Sequence, residues 1–144
     1  MDRERIAAAV TEILRAIGED PDRPDLRRTP QRVADLFAEM FGGLAIDPRI
    51  YLADALPEEH GELVVIRDVT VRSMCEHHLV PMVGLAHVAY LPAGRIVGFD
   101  RIVKVVDAYA RRPQIQERLT RQVADTIDRS EEHTSELQSP YDLV

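Results

Sequence analysis

The chain has no tryptophan, one cysteine and, among 18 basic residues, one lysine, Lys104. A single cysteine excludes an internal disulfide framework and fits a reducing compartment. Aromatic residues fill 5% of positions, so a core must be packed with the Leu, Ile, Val and Ala that dominate the 45% hydrophobic content. No apolar run approaches the roughly 20 residues of a membrane span. The charged start Met1-Asp2-Arg3-Glu4-Arg5 lacks the apolar stretch of a secretion signal. Together these absences predict a soluble, cytoplasmic chain with no membrane partner. Basic charge is also scarce: net charge is −7, and setting aside the four acidic residues of 131–144 leaves −3 for residues 1–130. That balance gives no reason to expect nucleic acid binding, although a local Arg/Lys cluster can hold a small polyanion.

Hydrophobic periodicity divides the chain. Ile6, Val10, Ile13, Leu14 and Ile17 fall at helical spacing, with Gly18 as a C-terminal stop. Thr29-Pro30 reads as N-cap and first helical residue of a second helix ending at Gly42-Gly43. Residues 44–60 read as irregular. Glu62–Thr70 and Met82–Leu91 then predict two strands, and Arg95–Gly98 a short extended piece. Asp100 is placed to cap a helix carrying Ile102, Val103, Val105, Val106 and Tyr109, which Arg112-Pro113 breaks. A last helix is expected from about Gln114 to Ile127. The resulting domains are an N-terminal helical region, 1–45, a mixed region, 60–128, and a tail, 129–144. The tail has no sustained apolar period, and residues 129–139 resemble the translation of a sequencing adapter, so it is expected to be non-native or disordered.

The chemistry concentrates in Ser73-Met74-Cys75-Glu76-His77-His78, which holds the only cysteine. A thiolate and an imidazole separated by two residues can reach one metal ion from a single turn, and zinc favours that mixture of sulfur and nitrogen. This spacing makes Cys75 and His78 the candidate metal ligands and leaves His77 beside the metal to move protons. Two protein ligands are fewer than the three of a catalytic zinc site. The bland alternative is a packed free cysteine beside solvated histidines.

With Thr29-Pro-Gln-Arg-Val-Ala, the Cys75 motif, Ala86-His-Val-Ala-Tyr-Leu-Pro and Ala110-Arg-Arg-Pro-Gln-Ile-Gln-Glu-Arg-Leu-Thr120, the chain resembles the GTP cyclohydrolase I family from near residue 1 to about 128. The resemblance implies an α+β tunnelling fold (T-fold) with N-terminal helices, and with the second strand pair missing here. It implies a homo-oligomer of two stacked five-membered rings, a Zn2+ cofactor, and conversion of GTP to formate and 7,8-dihydroneopterin triphosphate, the entry to tetrahydrofolate-type pterins. It makes Cys75 and His78 zinc ligands and His77 catalytic. The family's third ligand, another Cys, is absent from this chain, which is therefore expected to be inactive by itself.

Gln116 and Glu117 match the family's guanine-recognition residues; a carboxylate can accept hydrogen bonds from guanine N1–H and its exocyclic amine, a donor pair that adenine lacks. An exposed first-turn Glu complementing the helix dipole is the alternative. Asp100, Arg101 and Lys104 stand where the family usually has Ser, Lys and, three further on, Arg. Arg101 and Lys104 would grip the triphosphate, with Asp100 opposing them; otherwise they form a solvated basic face. Glu76 is expected to support a neighbouring imidazole or cap a turn, His87 to be a packed core histidine, and Arg111 and Arg112 to form ion pairs. Two other functions stay open: a non-catalytic pterin- or nucleotide-binding subunit of the same fold, and a T-fold nitrile reductase using Cys75 as nucleophile.

Overall fold

Four helices and five strands occupy residues 1–58 and 61–131, the part of the chain described by the computed structural model. The part of the expected tail beyond Glu131 lies outside the described residues. The chain divides into two units, Met1–Gly42 and Gly43–Val144.

The first unit is a helical pair, α1 (Arg3–Ala16) and α2 (Thr29–Met40), packed on each other. Asp2 caps α1 by accepting from the Arg5 N–H. Its other end closes as expected: Gly18, at φ +90°, follows the cap residue Ile17, and Gly18 and Glu19 N–H groups return to Arg15 and Leu14 carbonyls. Pro30 does sit in the first turn of α2, but Arg28 is the cap residue and no side chain caps it; Thr29 is already helical.

After α2, two 3-10 turns (Gly42–Ala45 and Pro48–Leu52) and a two-residue strand, β1 (Leu56–Pro57), replace the irregular stretch. Local side-chain bonding explains one of them, since Asp47 caps the second turn at the Arg49 N–H. The main sheet is β3 (Pro81–Tyr90), β2 (Val64–Cys75) and β5 (Pro113–Gln114) in that order, with β2–β3 antiparallel and β2–β5 parallel; β4 (Arg95–Ile96) pairs with β1 separately. Strand β2 runs five residues past the expected Thr70, so that Cys75 ends a strand. A bulge between Ile66 and Val69, with Asp68 at φ 61°, explains why a strict alternation does not describe it: the extra residue brings Ile66 and Val69, three apart, both to the buried side. His87 is not a core residue. It is exposed, and its Nδ1 accepts the Asp68 N–H at 3.2 Å, pinning the bulge.

Helices α3 (Phe99–Ala110) and α4 (Gln116–Glu131) complete the α+β arrangement. The apolar stripe of α3 fills the core, with Ile102, Val105 and Val106 inaccessible to solvent beside Ile66, Val69, Tyr90, Val123 and Ile127. Burying each such side chain contributes about 1.5–3 kcal/mol, far more than surface pairs do, so this stripe dominates the unit's stability. Gly98, not Asp100, is the cap residue of α3. Polar ties then join the layers. The buried Ser73 hydroxyl donates to the Ala110 carbonyl at 2.6 Å, and Tyr109 and Thr126 hydroxyls meet at 2.7 Å. Arg112 differs from the expected ion pair: among the described residues its guanidinium donates to the Gly43, Ile46 and Ala108 carbonyls and lies over the Tyr109 ring. Arg111 does pair, with Asp107 at 3.6 Å.

Gly43 marks where the chain passes closest to the end of α3. A Cβ there would stand 2.0 Å from the Ala108 oxygen and 2.8 Å from that of Arg111, both backbone atoms with little freedom to yield. Gly43→Ala is expected to lower stability by about 1–3 kcal/mol, read as a shift of the urea midpoint against wild type; an unchanged midpoint would show that this approach is not tight.

Candidate functional site

The candidate residues are held by the far end of β2. Cys75 closes the strand, and the chain reverses over Glu76–Val80 into β3. Two backbone bonds tighten the reversal, from the Cys75 N–H to the Val80 carbonyl (2.9 Å) and from the Leu79 N–H to the Cys75 carbonyl (2.8 Å). Leu79 adopts φ 52° to allow it, a left-handed conformation that a Leu takes only where its surroundings impose it. On the other side Arg112-Pro113 stops α3, and the freed chain adds to β2 as β5, pairing Met74 with Pro113 and Cys75 with Gln114. The Glu76 N–H extends this pairing to the Gln114 carbonyl at 3.1 Å. Gln114 is itself anchored: its buried side-chain amide donates to the Tyr109 carbonyl and to Gln122 Oε1. The start of α4, bearing Gln116 and Glu117, is thereby set beside the turn.

Cys75 is a free, partly buried thiol, and both histidines are exposed. Its Sγ lies 4.0 Å from His78 Nδ1 and also 4.0 Å from His77 Nδ1. Bond lengths and a tetrahedral angle at zinc place sulfur and nitrogen about 3.5 Å apart, so Cys75 and His78 fit as two donors after a small rotation of an exposed ring. The distances do not separate His78 from His77; the assignment of one as ligand and the other as proton carrier rests on the sequence motif. Among the described residues no third His, Cys, Asp or Glu completes a metal-binding group.

Glu76 has a definite partner that sequence reasoning missed. Both oxygens of its carboxylate are taken by the Arg118 guanidinium, Oε1 by Nη2 at 3.0 Å and Oε2 by Nη1. The same Oε1 lies 3.7 Å from His77 Nε2. Arg118 stands inside the Gln-Glu-Arg-Leu-Thr run, one residue past Glu117; its place in the first turn of α4 was the available signal, but no role follows from the residue type alone. Gln116 and Glu117 are exposed, and among the described residues no hydrogen bond or ion pair engages the Glu117 carboxylate, which leaves it able to accept from a ligand.

The third group sits at the start of α3. Lys104 Nζ contacts Asp100 Oδ2 at 2.9 Å, and Arg101 reaches Asp54 at 3.1 Å and Asp100 at 3.8 Å. Both cations expected to grip phosphates are thus already matched with carboxylates of the chain. The bond from Lys104, with Arg101 nearby, holds the Asp100 carboxyl below its usual range. This group connects to the Cys75 turn through the body of α3 and Ser73, with no side-chain bond between the two among the described residues.

The hydrogen bonds from Arg118 likewise hold the Glu76 carboxyl below its ordinary value of 4.5, and His77 adds a smaller pull in the same direction. A carboxyl with a depressed folded-state pKa contributes stability that is present above the unfolded pKa and is lost as pH falls through the folded one. The pair is therefore intact at neutral pH and opens only in acid. A carbon-detected NMR titration is expected to place the Glu76 midpoint below 4.5, moving back towards that value in Arg118→Gln; identical midpoints would remove the pair from the account.

Comparison with known proteins bears on these residues as a set. A sequence model of the family described as GTP cyclohydrolase I matches residues 6–135, which includes seven residues of the expected tail. The chain is 55% identical over 129 residues to GTP cyclohydrolase 1 of Leifsonia xyli subsp. xyli, covering 88% of this chain and 68% of that protein. It is 54% identical over 128 residues to GTP cyclohydrolase 1 of Rhodopirellula baltica, covering 89% of this chain and 56% of the relative. To GTP cyclohydrolase 1 of Carboxydothermus hydrogenoformans it is 52% identical, covering 67% of the relative. The chain thus spans between about half and two thirds of the length of these relatives.

Proposed function

Because the chain belongs to the GTP cyclohydrolase I family, we propose that its second unit carries the catalytic face of an enzyme that opens the guanine ring of GTP, releasing formate and leaving 7,8-dihydroneopterin triphosphate. The observation that carries the proposal is one juxtaposition. Sulfur and imidazole lie 4.0 Å apart on a turn whose Glu76 N–H is bonded to Gln114, two residues before the helix bearing Gln116 and Glu117.

In this reading Cys75 and His78 hold zinc, which would act as a Lewis acid and water-activating centre. His77, exposed and steered by Glu76 Oε1, gives a proton to the purine and takes one back. Glu117, with Gln116, reads the guanine edge from the first turn of α4. Arg101 and Lys104 take the triphosphate, exchanging Asp54 and Asp100 for phosphate oxygens. A homo-oligomer suits the exposed apolar side chains of the edge strand β3, where Val83 is 76% and Leu85 61% accessible. A free thiol fits a reducing cytoplasm. No described helix is long and apolar enough to cross a membrane.

A second reading, a nucleotide-binding subunit without turnover, is favoured by the two-donor metal group and by the carboxylates already on Arg101 and Lys104. Formate release separates the two. The 144-residue chain, whose described residues bring two donors together, is expected to bind GTP without releasing formate. Joined to the segments of the Leifsonia relative that lie outside the match, it is expected to release formate, and Cys75→Ser or His77→Ala in that chimera to abolish release. A folded, zinc-loaded chimera that binds GTP and yields no formate supports the second reading instead.

Asp100 makes a separate prediction. Replacing it by Ser frees Lys104 and removes a negative charge from the phosphate site, so Asp100→Ser is expected to tighten GTP binding by about 3–10-fold, in the range of a charge-assisted bond. Isothermal titration at constant ionic strength reads this. Unchanged or weaker binding would take Lys104 out of the phosphate site.

A further inference from the structure

On the reading that the Cys75–His78 turn is a metal-holding turn, we infer that Arg118 is its positioning residue: by clamping both oxygens of Glu76 it fixes the turn, and the carboxylate facing His77, against the first turn of α4. Few other ties hold the turn to its surroundings. The bonds of Cys75 and Leu79 are internal to the reversal; towards α4 the β2–β5 pairing ends at Cys75 and the Glu76 N–H bond to Gln114, and beyond that backbone ladder the Arg118 clamp is the side-chain link among the described residues. The clamp joins residues 42 apart in sequence, and its fork geometry fixes direction as well as distance. It also fixes the atom that matters to the neighbouring histidine. Glu76 Oε1, bonded by Arg118 Nη2 at 3.0 Å, is the oxygen 3.7 Å from His77 Nε2. Freed of Arg118, Glu76 would turn among several rotamers in a partly exposed position, and the ring beside it would lose its reference. The left-handed Leu79 adds to the need, since such a conformation persists only where neighbours over-determine it. Among the described residues Arg118 makes no hydrogen bond or ion pair with either donor, so it acts through Glu76. It couples the two ends of the proposed site, metal turn and guanine-reading helix start, because Arg118 directly follows Glu117 in α4.

Two readouts on the 144-residue protein test this without turnover. In metal-free protein, Arg118→Gln is expected to speed amide hydrogen exchange at Glu76 and Leu79 about tenfold, with the central β2–β3 ladder unchanged. Arg118→Lys, a point charge in place of a fork, should restore only part of the protection. In a Co2+ titration followed by the thiolate-to-cobalt band, Arg118→Gln and Glu76→Gln should each weaken binding by about 10–100-fold, and the double variant should be no weaker than either. Unchanged exchange at the two amides, or single-variant effects on Co2+ that multiply, would overturn the inference. Absence of a thiolate band in wild type would instead sink the metal reading, with the exchange experiment still deciding whether Arg118 holds the turn.

Discussion

Everything proposed for this protein depends on two residues, Pro113 and Gln114, pairing in parallel with the last two of β2. Without that pairing the Cys75 turn would be an ordinary reversal at the end of a hairpin. With it, the backbone of residue 76 is bonded to residue 114, and a helix begins two residues later beside the thiol. The pairing exists because Pro113 cannot continue α3, and because the buried amide of Gln114 locks the extended segment to Tyr109 and Gln122. Ser73, buried one residue before Met74, ties the same strand end to the last carbonyl of α3. A site assembled from three sequence-distant stretches is therefore held by a few short polar contacts laid over an apolar core.

The electrostatics divide the site into a committed part and an exchangeable part. Glu76 and Arg118 are partly buried and paired through both oxygens, the geometry of a fixed support. Asp100, Asp54, Arg101 and Lys104 are more open pairs at the start of α3, where solvent or an incoming anion can replace a carboxylate. Strong, directional contacts thus lie under the proposed chemistry, and weaker ones lie where a charged substrate would arrive and leave.

The core was legible because periodicity reports burial directly: the α3 stripe named from spacing includes Ile102, Val105 and Val106, which are inaccessible. The turn that gathers Cys75, His77 and His78 was legible because the three lie within four residues, and their use as metal ligand and proton carrier is the proposal. Less could be read where tertiary contacts decide. The bulge at Asp68 shifts the phase of β2, and His87, on the exposed side of β3 between the core-packed Ala86 and Val88, accepts the freed Asp68 N–H, so a histidine among apolar residues lies outside the core. Gly98 displaced Asp100 as the cap of α3, while Asp100 turned to Lys104. Arg112 met carbonyls in place of carboxylates. Arg118 was invisible because its partner lies 42 residues away and no local pattern links them.

The central claim is that one sulfur and one imidazole of this turn share a metal ion. Zinc K-edge X-ray absorption on the zinc-loaded chain addresses it most directly. The account predicts one sulfur scatterer at about 2.3 Å together with imidazole scattering near 2.0 Å, the sulfur lost in Cys75→Ser. A first shell of oxygen and nitrogen alone, the same with and without the thiol, would contradict it.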